Sequence, residues 1–441
     1  MKVAIFTVGC KANQYESDAL SYLLLKQGHT IVTEIEQADI CIVNTCTVTH
    51  RADYDSRRIL RQIIRKNPKA ICIATGCYIQ ISYPKLAEIK GIDYLIGNRE
   101  KPKILQLLPH LKKQKVPQIL VSPNPTTLDT LTDFPPPATS RHTRAYLKIQ
   151  DGCDTFCSYC IVPYARGRAR SLPPDEVIKR VCYLQAQGVK EIVFTGIHLG
   201  EYGKDLSPSL SLTQLLNMLK ESDISVRIRL SSLNPTEIDD EMFKLFAHFE
   251  NLCPHLHISL QSGSNRMLQK MGRSYTVHRF KDIVAILRKE LPYLAIGVDI
   301  IVGFPGETQE DFLQTYNLIQ DTPVSYCHIF SYSDRPGTKA AKMPDKVPLE
   351  TIKERVKKLR ALDRTKRIQF FKANLGRIVH VLIEEKEDIF LKGHSENYIS
   401  VYIKAETAFE QKTNQIVPVR LIAYQDGRVY GEMVTQNDIP S

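Results

Sequence analysis

The strongest constraint on how this 441-residue chain can fold is a rhythm: short valine- and isoleucine-rich runs alternate with amphipathic helical stretches. The rhythm covers about the first hundred residues and returns from Ala145 to Phe330. In the first block Lys2 to Val8, Ile40 to Asn44, Ala70 to Thr75 and Tyr94 to Ile96 read as strands. Gln14 to Lys26, Thr49 to Lys66 and Tyr83 to Ile89 read as helices. Such βα alternation implies a parallel sheet faced by helices, where ligands collect at the carboxyl ends of the strands. Cys10, Cys46 and Cys77 lie just beyond those ends. Three thiols on one edge suit a metal cluster, the alternative being buried cysteines that merely end strands. Cys41 and Cys72 fall inside strands and read as core.

The second block holds six strand–helix units, with strands near Ala145 to Ile149, Glu191 to Thr195, Val226 to Leu230, His255 to Leu260, Ile296 to Val302 and Val324 to Phe330. Six units fit an open sheet or a partial barrel, and both place active-site residues after the strand ends. Cys153, Cys157 and Cys160 follow the first strand at the spacing CxxxCxxC. Closed structural zinc sites need four ligands, so three cysteines better suit a 4Fe–4S cluster with one open iron. The later strands end in Thr195-Gly196, Ser231-Ser232, Gln261-Ser262-Gly263, Gly303 to Glu307 and Ser331-Tyr332-Ser333.

Between the blocks, from Pro109 to Thr143, prolines including Pro117, Pro123, Pro125 and Pro135-Pro136-Pro137 break the rhythm, as in a linker. After them comes a basic helix, Leu349 to Lys372, with Ile352, Val356, Leu359 and Leu362 as its buried stripe. The last seventy or so residues hold short β-branched runs, as in a small β-barrel, and acidic residues outnumber basic ones from Phe371 onward. The expected division is 1–110, a linker 111–140, 141–370 and 371–441.

No apolar run approaches a membrane span and no signal peptide is visible, which points to a cytoplasmic protein. Eleven cysteines in that setting indicate metal or catalysis rather than disulfides. The formal net charge of +11 favours a polyanionic partner. Two basic runs are candidates for the phosphates of such a polyanion: Arg57, Arg61 and Arg65 at helical spacing, and Arg166, Arg168 and Arg170 after the CxxxCxxC cysteines. A solvated face is the commoner meaning of such runs.

With both cysteine sets in view, the chain resembles the methylthiotransferase family of radical S-adenosylmethionine (SAM) enzymes over nearly all its length. Gly9-Cys10-Lys11-Ala12-Asn13-Gln14-Tyr15-Glu16-Ser17, Thr75-Gly76-Cys77-Tyr78, Tyr164 to Ser171 and Thr195-Gly196-Ile197-His198-Leu199-Gly200 look like the branch that methylthiolates threonylcarbamoyladenosine in tRNA. The isopentenyladenosine branch usually carries a methionine–asparagine pair after its first cysteine, where this chain has Ala12-Asn13, and the branch acting on a ribosomal-protein aspartate differs at the same places. Ser259 stands where relatives commonly have proline.

The resemblance implies an α/β fold: an N-terminal Rossmann-like domain, a partial (β/α)6 radical SAM barrel and a C-terminal all-β TRAM barrel. It assigns Cys10, Cys46 and Cys77 to an auxiliary 4Fe–4S cluster, and Cys153, Cys157 and Cys160 to the SAM cluster. Tyr159, Gly196, Ser231, Gln261, Gly303 and Glu307 become candidate SAM-pocket residues. The implied enzyme is a transferase of sulfur-containing groups that uses two SAM. It needs tRNA, a one-electron donor of the flavodoxin or ferredoxin kind and a sulfur donor, and is expected to be a monomer without a membrane partner. A non-catalytic iron–sulfur RNA-binding redox sensor is the alternative of another class.

Overall fold

Six parallel strands form the N-terminal sheet in the order β2-β1-β3-β4-β5-β6. They are β1 (Lys2–Thr7), β2 (Thr30–Ile31), β3 (Ile40–Thr45), β4 (Ile71–Gly76), β5 (Tyr94–Ile96) and β6 (Gln118–Leu120). This computed structural model describes residues 1–122, 131, 134–137, 143–405 and 413–434. Central β3 is buried along its whole length, which is why it reads as a continuous apolar run. Two expectations change here. β6 lies inside the segment expected to be a linker: Gln118 N–H donates to Asp93 O at 2.8 Å, and the triplet covers the free edge of β5. The helix expected at Tyr83 to Ile89 instead runs Cys77–Ala87, with a kink at Ser82 ahead of Pro84. That proline disguises the first turn. Pro123 and Pro125 lie outside the described residues.

The second block is a partial barrel. Its strands are β7 (Arg144–Lys148), β10 (Glu191–Thr195), β11 (Arg227–Leu230), β12 (His255–Gln261), β13 (Ala295–Val302) and β14 (Tyr326–Ser331). A short antiparallel pair, β8 (Gln150–Asp151) and β9 (Arg170–Ser171), rises from its first loop. The sheets β7-β10-β11 and β12-β13-β14 meet at a seam, where Leu233 N–H donates to His257 O and Ser259 N–H to Leu233 O, each at 2.9 Å. A proline at 259 could not make the second bond.

Side chains alternate along these strands. Ala145, Leu147, Ile192, Phe194, Ile228 and Leu230 belong to the apolar core. The alternate positions Arg144, Lys148, Glu191, Arg229, His257 and Asp299 form a polar interior. Burying charge there requires partners, and Arg229 meets Glu191 through Nε and Nη2 at 2.7 and 3.0 Å.

The C-terminal residues form a closed barrel from β15 (Ile378–Glu387), β16 (Phe390–Ser395), β17 (Ser400–Lys404), β18 (Ile416–Gln425) and β19 (Arg428–Met433). The turn between β16 and β17 plugs the larger barrel from below. Tyr398 packs on His255, ring centroids 4.6 Å apart, with Arg144 and Arg229 over its face. The helix Leu349–Ala373 covers β14 with the expected Ile352, Val356, Leu359 and Leu362 buried.

A buried ion network fastens the first domain to the barrel. Glu16 Oε1 accepts from Lys148 Nζ at 2.8 Å and from Arg166 Nη1 at 2.9 Å, and Lys101 binds its other oxygen. Asp151 pairs with Lys148 at 2.9 Å and with Arg166 at 2.9 Å. Burial alone would raise the Glu16 carboxyl, but Arg166, Lys101 and Lys148 hold it well below the usual range.

Glu16→Gln leaves three buried cations short of their shared anion. Urea denaturation is expected to show a loss of about 3–5 kcal/mol. A loss below about 1 kcal/mol would mean that other contacts hold the domains together. The Glu16 contribution is present above the unfolded carboxyl value of about 4.3 and is lost as pH falls toward the depressed folded value. The variant should therefore lose less stability on acidification than the wild type.

Candidate functional site

Cys46 and Cys77 directly follow β3 and β4 and Cys10 lies three residues beyond β1; the three strands are adjacent in the sheet, so the three thiols share one edge. Two glycines make the approach possible. Gly9, at φ +106°, faces Cys46 so closely that a Cβ would lie 2.7 Å from its Sγ. At Gly76, φ +101°, a Cβ would lie 2.4 Å from Thr45 O. Asn13 clamps the turns, donating from Nδ2 to Val8 O at 2.7 Å and to Thr45 O at 3.1 Å. Burial pushes the Cys46 thiol up to about 12, with Cys77 and Cys10 adding to it. Close packing raises Cys10 likewise, although the residue reaches solvent. Asn98 Nδ2 lies 3.6 Å from Cys77 Sγ and donates to Ala165 O at 2.8 Å.

The second trio occupies the loop after β8. Thr155 N–H donates to Cys153 Sγ at 3.4 Å, and Arg273 Nη1 to Cys157 Sγ at 3.3 Å. His198 Nδ1 is 3.4 Å from Cys153 Sγ. Burial alone would raise the Cys153 thiol, yet its bonds to His198 and Thr155 bring it down, while burial takes Cys160 up to about 12. All eleven cysteines are free thiols. Cys41 and Cys72 sit in strands as expected, Cys182 is exposed on the helix Pro174–Ala186, and Cys253 and Cys327 are buried near the ends of β12 and β14. Two sets of three thiols, each touched by N–H donors, fit two 4Fe–4S clusters with one iron apiece left open.

The candidate SAM-pocket residues divide. Tyr159 and Gln261 line one cavity of about 200 Å³, shared with Asp299, Phe330 and, from the first domain, Thr49. Ser231 is buried and its hydroxyl has no hydrogen-bond partner among the described residues, as suits a residue that takes a polar ligand. Gly196 instead faces Gln150, whose Oε1 would lie 2.8 Å from a Cβ there. Glu307 is engaged structurally: it accepts from Gly303 N–H at 2.8 Å and pairs with Arg355 of the last long helix, so Gly303 and Glu307 anchor that helix. A larger cleft of about 660 Å³, between the helices Val277–Glu290 and Gln309–Asp321, holds none of the cysteines.

The basic runs divide as well. Arg166 and Arg170 are 2% and 3% exposed and so do not face phosphates. The first is committed to Glu16 and Asp151, and the second donates to Arg166 O at 2.9 Å. Only Arg168 of that run is exposed, 3.6 Å from Asp154. On the helix His50–Lys66, Arg61 and Arg65 are exposed, while Arg57 is half-buried and bonded to the Tyr78 hydroxyl.

Several contributors carried no separable signal in the sequence. Asn13, Glu16 and His198 stand inside motifs whose roles only the contacts reveal. Arg335 ties the barrel to the start of the second helix, donating to Asp53 Oδ2 at 2.7 Å and Thr47 O at 3.1 Å. Burial lowers the Lys11 ammonium to about 8, with Arg229 and Arg144 pushing the same way against Glu191 and Asp299.

Residues 147–319 match the family described as the Radical SAM superfamily, and residues 2–97 the one described as Uncharacterized protein family UPF0004. The chain is 40% identical over 406 residues to the threonylcarbamoyladenosine tRNA methylthiotransferase MtaB of Aquifex aeolicus, spanning 91% of this chain and 96% of that protein. Identity to the Bacillus subtilis enzyme of the same name is 38% over 448 residues, 99% of this chain and 98% of the relative. A tRNA-2-methylthio-N(6)-dimethylallyladenosine synthase of Dictyoglomus thermophilum is 34% identical, covering 99% of this chain and all of that one. Among solved structures, the radical SAM methyltransferase TsrM of Kitasatospora setae superposes with a TM-score of 0.57 at 16% identity, over 81% of this chain and 84% of its own, which supports the fold alone. By its cysteine sites and by identity along almost its entire length, the chain belongs to the radical SAM methylthiotransferase family, in the branch of the threonylcarbamoyladenosine tRNA enzymes.

Proposed function

We propose that this chain converts N6-threonylcarbamoyladenosine, next to the anticodon of a tRNA, to its 2-methylthio derivative, consuming two SAM and a sulfur donor. The observation that carries the reading is the tie between the two thiol sites: Asn98 touches Cys77 Sγ and bonds Ala165, in the helix Val162–Arg166 that follows Cys160. Bound there, 4Fe–4S clusters and SAM supply what acid–base chemistry cannot, hydrogen abstraction from the adenine C2–H and delivery of a methylthio group. The chain supplies placement. Asn13 fixes the turns of Cys10 and Cys46, while Thr155 N–H and Arg273 offset negative charge on the sulfurs of the second trio. The cavity lined by Tyr159 and Gln261 opens between the domains and is the place for SAM and the base.

Arg61, Arg65 and Arg168 are the exposed cations assigned to RNA phosphates. No described helix is long and apolar enough to cross a membrane. A tRNA substrate implies the cytoplasm, and a monomer served by a flavodoxin or ferredoxin completes the reading.

Mass spectrometry of tRNA nucleosides tests the function directly. Cells lacking the gene should lose the 2-methylthio form of threonylcarbamoyladenosine and regain it on complementation; unchanged nucleosides would overturn the assignment. In anaerobically reconstituted protein, Cys157→Ala should abolish 5′-deoxyadenosine formation from SAM. Cys46→Ala should retain it, stop thiolation and lower iron from about eight to about four per chain. Equal loss of SAM cleavage in both would contradict the division of labour. Replacing Arg61 and Arg65 with alanine should flatten the slope of log affinity against log salt by roughly 0.7–0.9 per phosphate contact; an unchanged slope removes that face from the interface.

A further inference from the structure

β14 ends its sheet, so one of its edges pairs with no other strand of that sheet. Along this edge lies a groove of about 570 Å³, lined by His328, Ile329 and Phe330 and by Arg360, Asp363 and Arg364 of the helix Leu349–Ala373. Phe330 is 45% exposed, and the exposed His328 packs edge-on against it with ring centroids 6.5 Å apart. Arg360 and Arg364 are exposed and stand four residues apart, on one face of their helix. Neither forms a hydrogen bond or ion pair with any of the described residues. Asp363 between them is engaged: it accepts from Cys327 N–H at 2.7 Å and from Arg367 Nε at 2.9 Å. The groove therefore keeps an aromatic face and two positive charges that nothing among the described residues answers.

These two properties together select the partner. A free aromatic face takes a flat apolar surface, and unpaired arginines take anions. Single-stranded nucleic acid offers both along one strand, whereas the bases of a duplex are covered by their neighbours. The groove also has a direction. Phe330 is a wall of the cavity that holds Tyr159, Gln261 and Asp299 as well, so groove and cavity adjoin at this ring. We propose that the groove binds the single-stranded RNA next to the modified adenosine, with an adjoining base stacked on Phe330 and backbone phosphates on Arg360 and Arg364. The inference rests on the tRNA methylthiotransferase reading above. An adenine drawn into the cavity leaves its neighbour in the loop with one face bare. Phe330 stands where it replaces that lost contact, which lowers the cost of unstacking.

The test measures binding of anticodon-stem-loop RNA carrying threonylcarbamoyladenosine to the reconstituted holoenzyme. It is compared with two RNAs in which the nucleotide before or after that adenosine lacks its base. The wild type should bind one of these abasic RNAs roughly 5- to 150-fold more weakly than the intact RNA, as expected for one base stacked on an aromatic ring. Phe330→Ala that still holds about eight irons per chain should bind intact and abasic RNA alike, and Phe330→Trp should restore the difference. Arg360→Gln combined with Arg364→Gln should keep that difference and flatten the slope of log affinity against log salt by roughly 0.7 per lost contact. A wild type that binds the intact RNA and both abasic RNAs equally overturns the proposal, as does Phe330→Ala that still tells them apart or a double arginine variant with an unchanged slope. So do groove variants that bind every RNA as the wild type does but accept electrons more slowly from an acidic donor protein, which would assign the groove to that partner. A wild type that neither binds nor methylthiolates the intact RNA overturns the methylthiotransferase reading itself.

Discussion

The buried pairing of Glu16 with Arg166 is the contact on which the rest of the arrangement depends. Glu16 belongs to the helix that starts at Lys11, and Arg166 ends the short helix that starts two residues after Cys160. Each side chain is therefore rigidly connected to one cysteine trio. Their bond converts two separate folding units into one frame with a fixed spacing between sulfur sites. Arg166 Nη2 also donates to Asn13 Oδ1 at 2.6 Å, and Asn13 grips the turns of Cys10 and Cys46. One guanidinium thus reaches the backbone of the auxiliary site through a single intermediary. The network contains three cations and two carboxylates, an excess of positive charge beside thiols that become anionic when they bind iron.

The barrel interior follows the same logic at larger scale. Most parallel barrels fill their centre with branched apolar side chains. Here the inward positions are arginine, glutamate, histidine, aspartate and lysine, which is costly unless every group finds a partner. The C-terminal barrel helps to meet that demand: Arg229 Nη1 donates to Glu396 O at 2.9 Å, and Arg227 Nη1 to His380 O at 2.7 Å. The small domain is a floor as well as an appendage, and its acidic balance complements the arginines above it.

Much of this was legible in the amino-acid order, and the exceptions have physical causes. The cysteine spacing and the strand ends could be read because thiol ligation and period-two alternation are local properties. Glu191–Thr195 has the bounds that its pattern suggests. The run Arg166-Gly167-Arg168-Ala169-Arg170 misleads because burial of Arg166 is decided by Glu16, 150 residues earlier. β6 is an extended segment whose existence depends on a neighbouring strand edge rather than on its own composition. The alternation in Arg227-Ile228-Arg229-Leu230 was visible, but a polar face on a strand ordinarily means solvent, and only closure of the sheet turns it inward.

The same closure changes what the net charge of +11 signifies. Lys101, Lys148, Arg166, Arg229, Arg335 and Arg355 are buried, and they hold domains and helices together. Part of the positive charge in this chain is thus an internal adhesive. The charge left on the surface includes Arg61 and Arg65 of the helix His50–Lys66, Arg168, and the exposed side of Leu349–Ala373. The start of the helix His50–Lys66 and the end of β14 meet at the cavity mouth, where His50 N–H donates to Ser333 Oγ at 3.0 Å. The first domain and the barrel therefore share the rim of that opening, with Val48 and Thr49 on one side and Phe330 to Ser333 on the other.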